Sequence, residues 1–254
     1  MMKKKKVLIP IPNYGFDPTE VSIPFKFLKD NSHLITFATP NAKKANADER
    51  MLNGNGLGIF TNLLKARKDA LEAYSEMEKQ SEFNYPLKYS EINEKDYDSI
   101  LLCGGHDKAI KEYLESEILQ KIIVNFFSSN KPVSAICHGV VLVSRSIDPT
   151  TKKSVLYNLK TTALLKSQEL TAYNLTRLWL GDYYLTYPET TVEEEVKESL
   201  ASTHNFISGP LPIFRDSQNS LSKGFCLKDK NYLSARCPGD VYNFSNELIK
   251  TLLD

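Results

Sequence analysis

The sequence predicts an α/β fold built on a mainly parallel sheet with helices on both faces. Two observations carry the prediction. Short apolar runs rich in β-branched residues alternate with helical stretches along most of the chain, the pattern of strand–helix–strand units. The chain has 254 residues, 41% of them hydrophobic, enough to bury one sizeable core with or without a cap.

Lys5 to Pro12 reads as the first strand, following the basic start Met1 to Lys6. That start superficially resembles a signal peptide. The apolar run is too short for one, Pro10 and Pro12 break it, and no small-residue cleavage site follows. Asn13 to Thr19 is a loop. Asp17 or Thr19 can cap a helix from about Glu20 to Lys29, with Pro24 near its first turn, where proline is tolerated. His33 to Thr39 is the second strand. The rhythm then breaks for about 55 residues, too long for an ordinary crossover, so a cap insertion is expected at about 41–95. Within it, Asn62 to Gln80 reads as a helix and Tyr85 to Glu94 as a loop or short strand. Gly54-x-Gly56-x-Gly58 lacks the preceding strand that a dinucleotide loop requires and reads as a flexible turn.

The alternation returns with a strand at Tyr97 to Cys103, a turn at Gly104 to Asp107, and helix from Lys108 to Ser129 with a break near Ser116. Pro132 to Cys137 is a strand, followed by a helix to about Ser146. Ser154 to Tyr157 and Leu159 to Leu165 read as short strands, and Lys166 to Leu180 and Thr191 to Ala201 as helices. Tyr232 to Arg236 is a late strand, and Pro238 to Leu253 is the closing helix. The expected organisation is a single domain, 1–254, with a second lid-like region at about 174–233.

Lysine and arginine number 32 against 31 acidic residues, a net charge of +1, so no strong field steers nucleic acid or an anionic membrane. No stretch approaches the ~20 apolar residues of a membrane helix. The four cysteines form no CxxC pair, and the four histidines none at i, i+4, so neither a disulfide framework nor a zinc site is expected. Without a secretion signal, a reducing cytoplasm is the expected compartment.

The most informative residues are Ala135-Ile136-Cys137-His138-Gly139-Val140. A cysteine between a buried strand and a helix, with small residues two positions either side, fits a nucleophile elbow. A helix N-terminus there favours the thiolate, and a neighbouring histidinium does the same. Free cysteines are also among the most buried residue types, so Cys137 needs support from its surroundings. Glu20 and Gly105 supply it, since both follow strand ends and converge on the crevice where open α/β sheets bind ligands. Cys103 reads as a small core residue near Cys137. Tyr183, Tyr184 and Tyr187 are candidates for a pocket wall, and Asn205 to Ser208 and Arg236 to Asp240 for loops at the crevice mouth.

Leu101-Leu102-Cys103-Gly104-Gly105-His106-Asp107, Ala135-Ile136-Cys137-His138-Gly139 and Glu20-Val21-Ser22-Ile23-Pro24 together resemble the ThiJ/PfpI superfamily, of the class I glutamine amidotransferase-like fold. The resemblance implies a flavodoxin-like three-layer sandwich. The insertion after the second strand resembles the capped branch, which contains glyoxalase III-type enzymes and heat-shock chaperones. By resemblance the nucleophile is Cys137, its partner histidine His138, and the glutamate that hydrogen-bonds the cysteine Glu20. Oxyanion-type donors fall at Gly104, Gly105 and Gly139 and on the His138 amide. Glu169 is the best match for the acid that orients the histidine, and Asp148 is a weaker one. The region Thr161 to Pro188 departs from the better-known members.

The expected function is cysteine-dependent chemistry on small reactive carbonyls, converting a 2-oxoaldehyde to a 2-hydroxy acid without glutathione, redox cofactor or metal. A cysteine amidase or peptidase uses the same residues, and a stress holdase or redox sensor uses the same thiol without turnover. The expected partner is a small carbonyl or amide substrate, with no nucleic acid and no membrane. Superfamily members are often dimers, so a homodimer is an expectation by resemblance alone.

Overall fold

The computed structural model describes residues 4–253. The beginning of the basic run, residues 1–3, lies outside them. Among the described residues nine strands form two sheets: β1 Lys6–Pro10, β2 Tyr14–Phe16, β3 Leu34–Thr39, β4 Asn46–Ala47, β5 Leu87–Lys88, β6 Ser99–Leu102, β7 Val133–Ile136, β8 Cys226–Asp229 and β9 Tyr232–Ala235. The main sheet has the order β5-β3-β1-β6-β7-β9-β8, while β2 and β4 pair separately. All main-sheet pairs are parallel except the edge hairpin of β8 with β9. Helices Pro18–Asp30, Lys68–Glu78 and Val241–Leu253 pack together in one layer, and Glu117–Ser128, Gly139–Ser144 and Val192–Glu198 in the other. This is the flavodoxin-like three-layer α/β architecture. Among the described residues no helix is long and apolar enough to cross a membrane.

The core strands β1, β6, β7 and β9 read as near-continuous apolar runs because both of their faces are covered, and β6, β7 and β9 are buried throughout. The chain winds outward from β1 through β3 to β5, then returns to the other side of β1 to lay down β6, β7 and β9. The turns after β1 and β6 therefore flank the point where strand order reverses, and ligands collect at such points.

Several boundaries differ from the sequence reading. The first helix begins at Pro18, which takes the opening position, and the Asp17 carboxylate caps it by accepting the amides of Thr19 and Glu20 at 2.8 and 3.1 Å. Pro24 is thus inside the helix rather than in its first turn. Lacking an N–H, it leaves the Glu20 carbonyl without its helical donor. The Cys103 thiol donates to that carbonyl instead, at 3.1 Å. The expected Asn62–Gln80 helix is split into Thr61–Leu64 and Lys68–Glu78, because Lys65 and Arg67 are extended and Ala66 donates to the Met51 carbonyl at 2.9 Å. The short strands expected at 154–157 and 159–165 reduce to isolated bridges, Ile147 with Ser154 and Thr161 with Phe206. β8 was not anticipated: it is an edge strand carrying Lys228 and Asp229, without the continuous apolar signal of its neighbours.

Candidate active site

Cys137 ends β7 with φ = +57°, the left-handed region, and its amide donates to the Ala235 carbonyl of β9 at 3.1 Å. That backbone costs a non-glycine residue about 1–2 kcal/mol. Three glycines make the turn sterically feasible. A Cβ on Gly139 would stand 2.3 Å from the Leu102 carbonyl oxygen, and one on Gly105 2.3 Å from the Gly15 carbonyl oxygen. A Cβ on Gly104 would stand 2.7 Å from the His138 amide nitrogen, 2.9 Å from Glu20 Oε2 and 3.0 Å from Cys137 Cβ. The place left free by Gly104 is where nucleophile, histidine and glutamate meet.

Glu20 has no exposed surface and Cys137 is 1% exposed. Glu20 Oε2 accepts the Gly104 amide at 2.8 Å, while Oε1 is buried with no hydrogen-bond partner. The Cys137 thiol lies against this carboxyl. Burial pushes the Glu20 carboxyl well above its usual range, and nearby Asp17 adds to the effect. Burial also pushes the Cys137 thiol well up, and Glu20 adds to it. The expectation of a thiolate favoured by a helix end and a histidinium is therefore corrected: desolvation outweighs the six-residue helix Gly139–Ser144.

His138, fully buried, places Nδ1 3.5 Å from the Cys137 sulfur. Its Nε2 is buried and unpartnered. Burial, then His106 and Arg145, pull its pKa well below that of a free histidine, so the ring is neutral. Glu169 does not reach it. Glu169 Oε2 accepts the Val192 amide at 2.9 Å, at the start of the Val192–Glu198 helix. Burial raises the Glu169 pKa to about 7. Asp148 is further removed from the role: its Oδ1 accepts the amides of Thr150 and Thr151 and closes a turn after the Gly139–Ser144 helix. The Gly104 amide is committed to Glu20, which leaves the amides of Gly105, His138 and Gly139 as the oxyanion donors to test.

A cavity of about 210 Å³ is lined by Asp17, His106, Glu169, Tyr184, Arg215 and Cys237, with apolar walls from Leu63, Leu164 and Phe214; Cys137, Glu20 and His138 do not line it, but His106, which does, packs against His138. The Arg236–Asp240 loop contributes Cys237 to Asp240, held by the bidentate pair of buried Arg236 with Asp240 at 2.7 and 2.8 Å. Tyr184 lines the cavity, whereas Tyr183 turns away to bond Asp48. The sequence reading missed His106. Its ring stands edge-on to His138 at 5.1 Å and to Tyr184 at 5.0 Å. His106 Nδ1 and the Tyr184 hydroxyl are both buried without partners. Burial lowers the His106 pKa to about 4. Its signal was its position, directly after Gly104-Gly105 at a strand end.

A thiol, a carboxyl with a raised pKa and unpartnered polar atoms near a small cavity can add sulfur to a carbonyl and move protons around the adduct. A family model described as ThiJ/PfpI family-like matches residues 11–210. The glutathione-independent glyoxalase hsp3101 of Schizosaccharomyces pombe is 27% identical over 165 residues, 62% of this chain and 62% of that protein. Glyoxalase 3 of Candida albicans is 26% identical over 156 residues, 58% of this chain and 59% of that protein. The matched chain thus spans about three fifths of the length of these two relatives. Among solved structures, glyoxalase III from Candida albicans superposes with a TM-score of 0.67 at 20% identity, over 97% of each chain. The 24 kDa rapid encystment protein of Francisella tularensis gives 0.69 at 13% identity, over 98% of this chain and 100% of that one. At these identities the superpositions show the shared fold alone.

Proposed function

Because the chain belongs to the ThiJ/PfpI family, we propose that it is a glutathione-independent lyase converting small 2-oxoaldehydes to 2-hydroxy acids. One observation carries the reading: Cys137 at φ = +57° sits against a fully buried carboxyl, Glu20, with His138 Nδ1 3.5 Å from its sulfur. The likeness to glutathione-independent glyoxalases supports the same choice. The Cys137 sulfur adds to the aldehyde carbon as its proton leaves, and the amides of Gly105 and His138 face the oxygen that gains charge. The hemithioacetal carbon then loses its hydrogen as a proton, and the neighbouring carbonyl carbon regains one through an enediol. Glu20 and neutral His138 are the groups placed to carry these protons. The resulting thioester is hydrolysed by one water, releasing the 2-hydroxy acid and restoring the thiol. Net consumption is one water, with no change in overall oxidation state.

The test is lactate formation from methylglyoxal without glutathione. Wild-type protein is expected to turn over, and Cys137→Ala to fall by on the order of a thousand-fold or more, to the uncatalysed background. Equal lactate formation by both proteins overturns the reading.

A further inference from the structure

Arg215 lines the cavity and makes no ion pair among the described residues. Nη1 donates to the Lys65 carbonyl at 3.3 Å and Nη2 to the Leu63 carbonyl at 2.5 Å. A guanidinium carries five N–H donors, so three of them have no acceptor among the described residues. The surrounding carboxyls have other partners. Asp240 is taken bidentately by Arg236, Asp17 spends Oδ1 on the first amides of its helix, and Glu169 holds the Val192 amide. Arg67 adds a second guanidinium nearby, its Nη1 donating to the Asp216 carbonyl at 2.9 Å. Burial and then Arg67 push the Arg215 pKa down, and nearby Asp17 offsets part of this without forming an ion pair, so the arginine keeps its charge. A partly desolvated guanidinium offered only carbonyl oxygens is costly, and a carboxylate matches its planar fork.

Arg215 also has a fixed relation to the nucleophile. The position of a Cβ on Gly239 lies 3.4 Å from both Arg215 Cγ and Cys237 Sγ. Cys237 follows Ala235 by two residues, and the Ala235 carbonyl holds the Cys137 amide. The stem of the arginine and the Cys237 thiol therefore flank Gly239, where a side chain would meet both, while the guanidinium reaches the Leu63 and Lys65 carbonyls. Building on the lyase reading, we infer that the preferred substrate is a 2-oxoaldehyde bearing a carboxylate remote from its reactive carbonyl, with Arg215 as the carboxylate-binding residue. A monoanion suits this cavity better than a dianionic phosphate, since Asp17, Glu169 and Asp240 also line it.

The test compares 4,5-dioxopentanoate with its methyl ester, the same aldehyde without charge. Wild-type protein is expected to show a kcat/KM at least ten-fold higher for the acid. Arg215→Gln should erase that ratio chiefly through KM, and Arg215→Lys should retain part of it. Calorimetry with 4-oxopentanoate, which has the carboxylate but no aldehyde, should show at least ten-fold weaker binding to Arg215→Gln than to wild type. Turnover of acid and ester at equal kcat/KM by wild type overturns the carboxylate site and leaves the lyase reading standing. Arg215-dependent binding of 4-oxopentanoate without turnover of any aldehyde supports the carboxylate site and overturns the lyase reading.

Discussion

Cys103 and Cys137 end adjacent parallel strands, and both touch Glu20, yet the fold uses them in opposite ways. Cys103 follows β6 outside the left-handed region and donates its thiol to the Glu20 backbone carbonyl. Cys137 follows β7 at φ = +57° and sets its sulfur against the Glu20 carboxyl and His138 Nδ1. Burial raises the pKa of both thiols, so neither is marked out by acidity. The difference lies in the backbone. One left-handed residue turns a core thiol into one that meets the polar atoms of Glu20 and His138, and glycines at 104, 105 and 139 make room for it.

The contrast breaks most sharply at the glutamate side chain. Glu20→Gln keeps an oxygen for the Gly104 amide and keeps the backbone carbonyl for Cys103, but it removes the transferable proton. Turnover of methylglyoxal is expected to fall by about 10²- to 10⁴-fold with the fold intact, measured by kinetics alongside circular dichroism. A loss no greater than two-fold would remove Glu20 from the chemistry. The backbone branch is tested by Cys103→Ala, which leaves the Glu20 carbonyl unsatisfied inside the core. A loss of about 1–3 kcal/mol in urea unfolding is expected, with Cys103→Ser restoring most of it because a hydroxyl can donate to the same oxygen.

A third test sharpens the comparison by isolating pH. Glu169 also lines the cavity, and its pKa is raised to about 7 in the folded chain. Below its ordinary pKa it is protonated whether folded or unfolded. As pH rises towards 7 the folded state keeps the proton longer than the unfolded state does, so its contribution to stability declines and then levels off. Glu169→Gln removes that decline while keeping an acceptor for the Val192 amide. The variant should gain on wild type between pH 5 and pH 8 by up to about 3 kcal/mol, read from urea midpoints. An identical pH dependence in both proteins would place the Glu169 pKa near its ordinary value.

The elbow was legible because its chemistry is local. A strand, a cysteine, a histidine and a glycine are consecutive, and Glu20 and Gly104-Gly105 follow strand ends that any parallel sheet brings together. What could not be read depends on neighbours distant in sequence. Burial decides the ionisation of Cys137, Glu20 and His138, and no run of letters reports it. Arg215 lies in a stretch without regular structure, and His106 looks like a turn residue until Tyr184 and His138 are packed against it. Glu169 had the right spacing, yet its carboxylate serves the start of the helix at Val192. β8 escaped notice because an edge strand needs no apolar alternation.

Pro24 has a longer reach than its place in the first helix implies. A proline inside a helix costs about 3 kcal/mol in an exposed setting, through its missing donor and a clash with the carbonyl four residues back. Here that carbonyl belongs to Glu20, and the displaced bond is supplied by Cys103. The two residues are therefore a matched pair. Restoring a donor at position 24 would make the helix amide and the Cys103 thiol competitors for one oxygen, and would draw the backbone of Glu20 back towards ideal helical geometry. Neither residue touches the cavity, yet substitutions at the two positions are expected to be tolerated together more readily than one at a time.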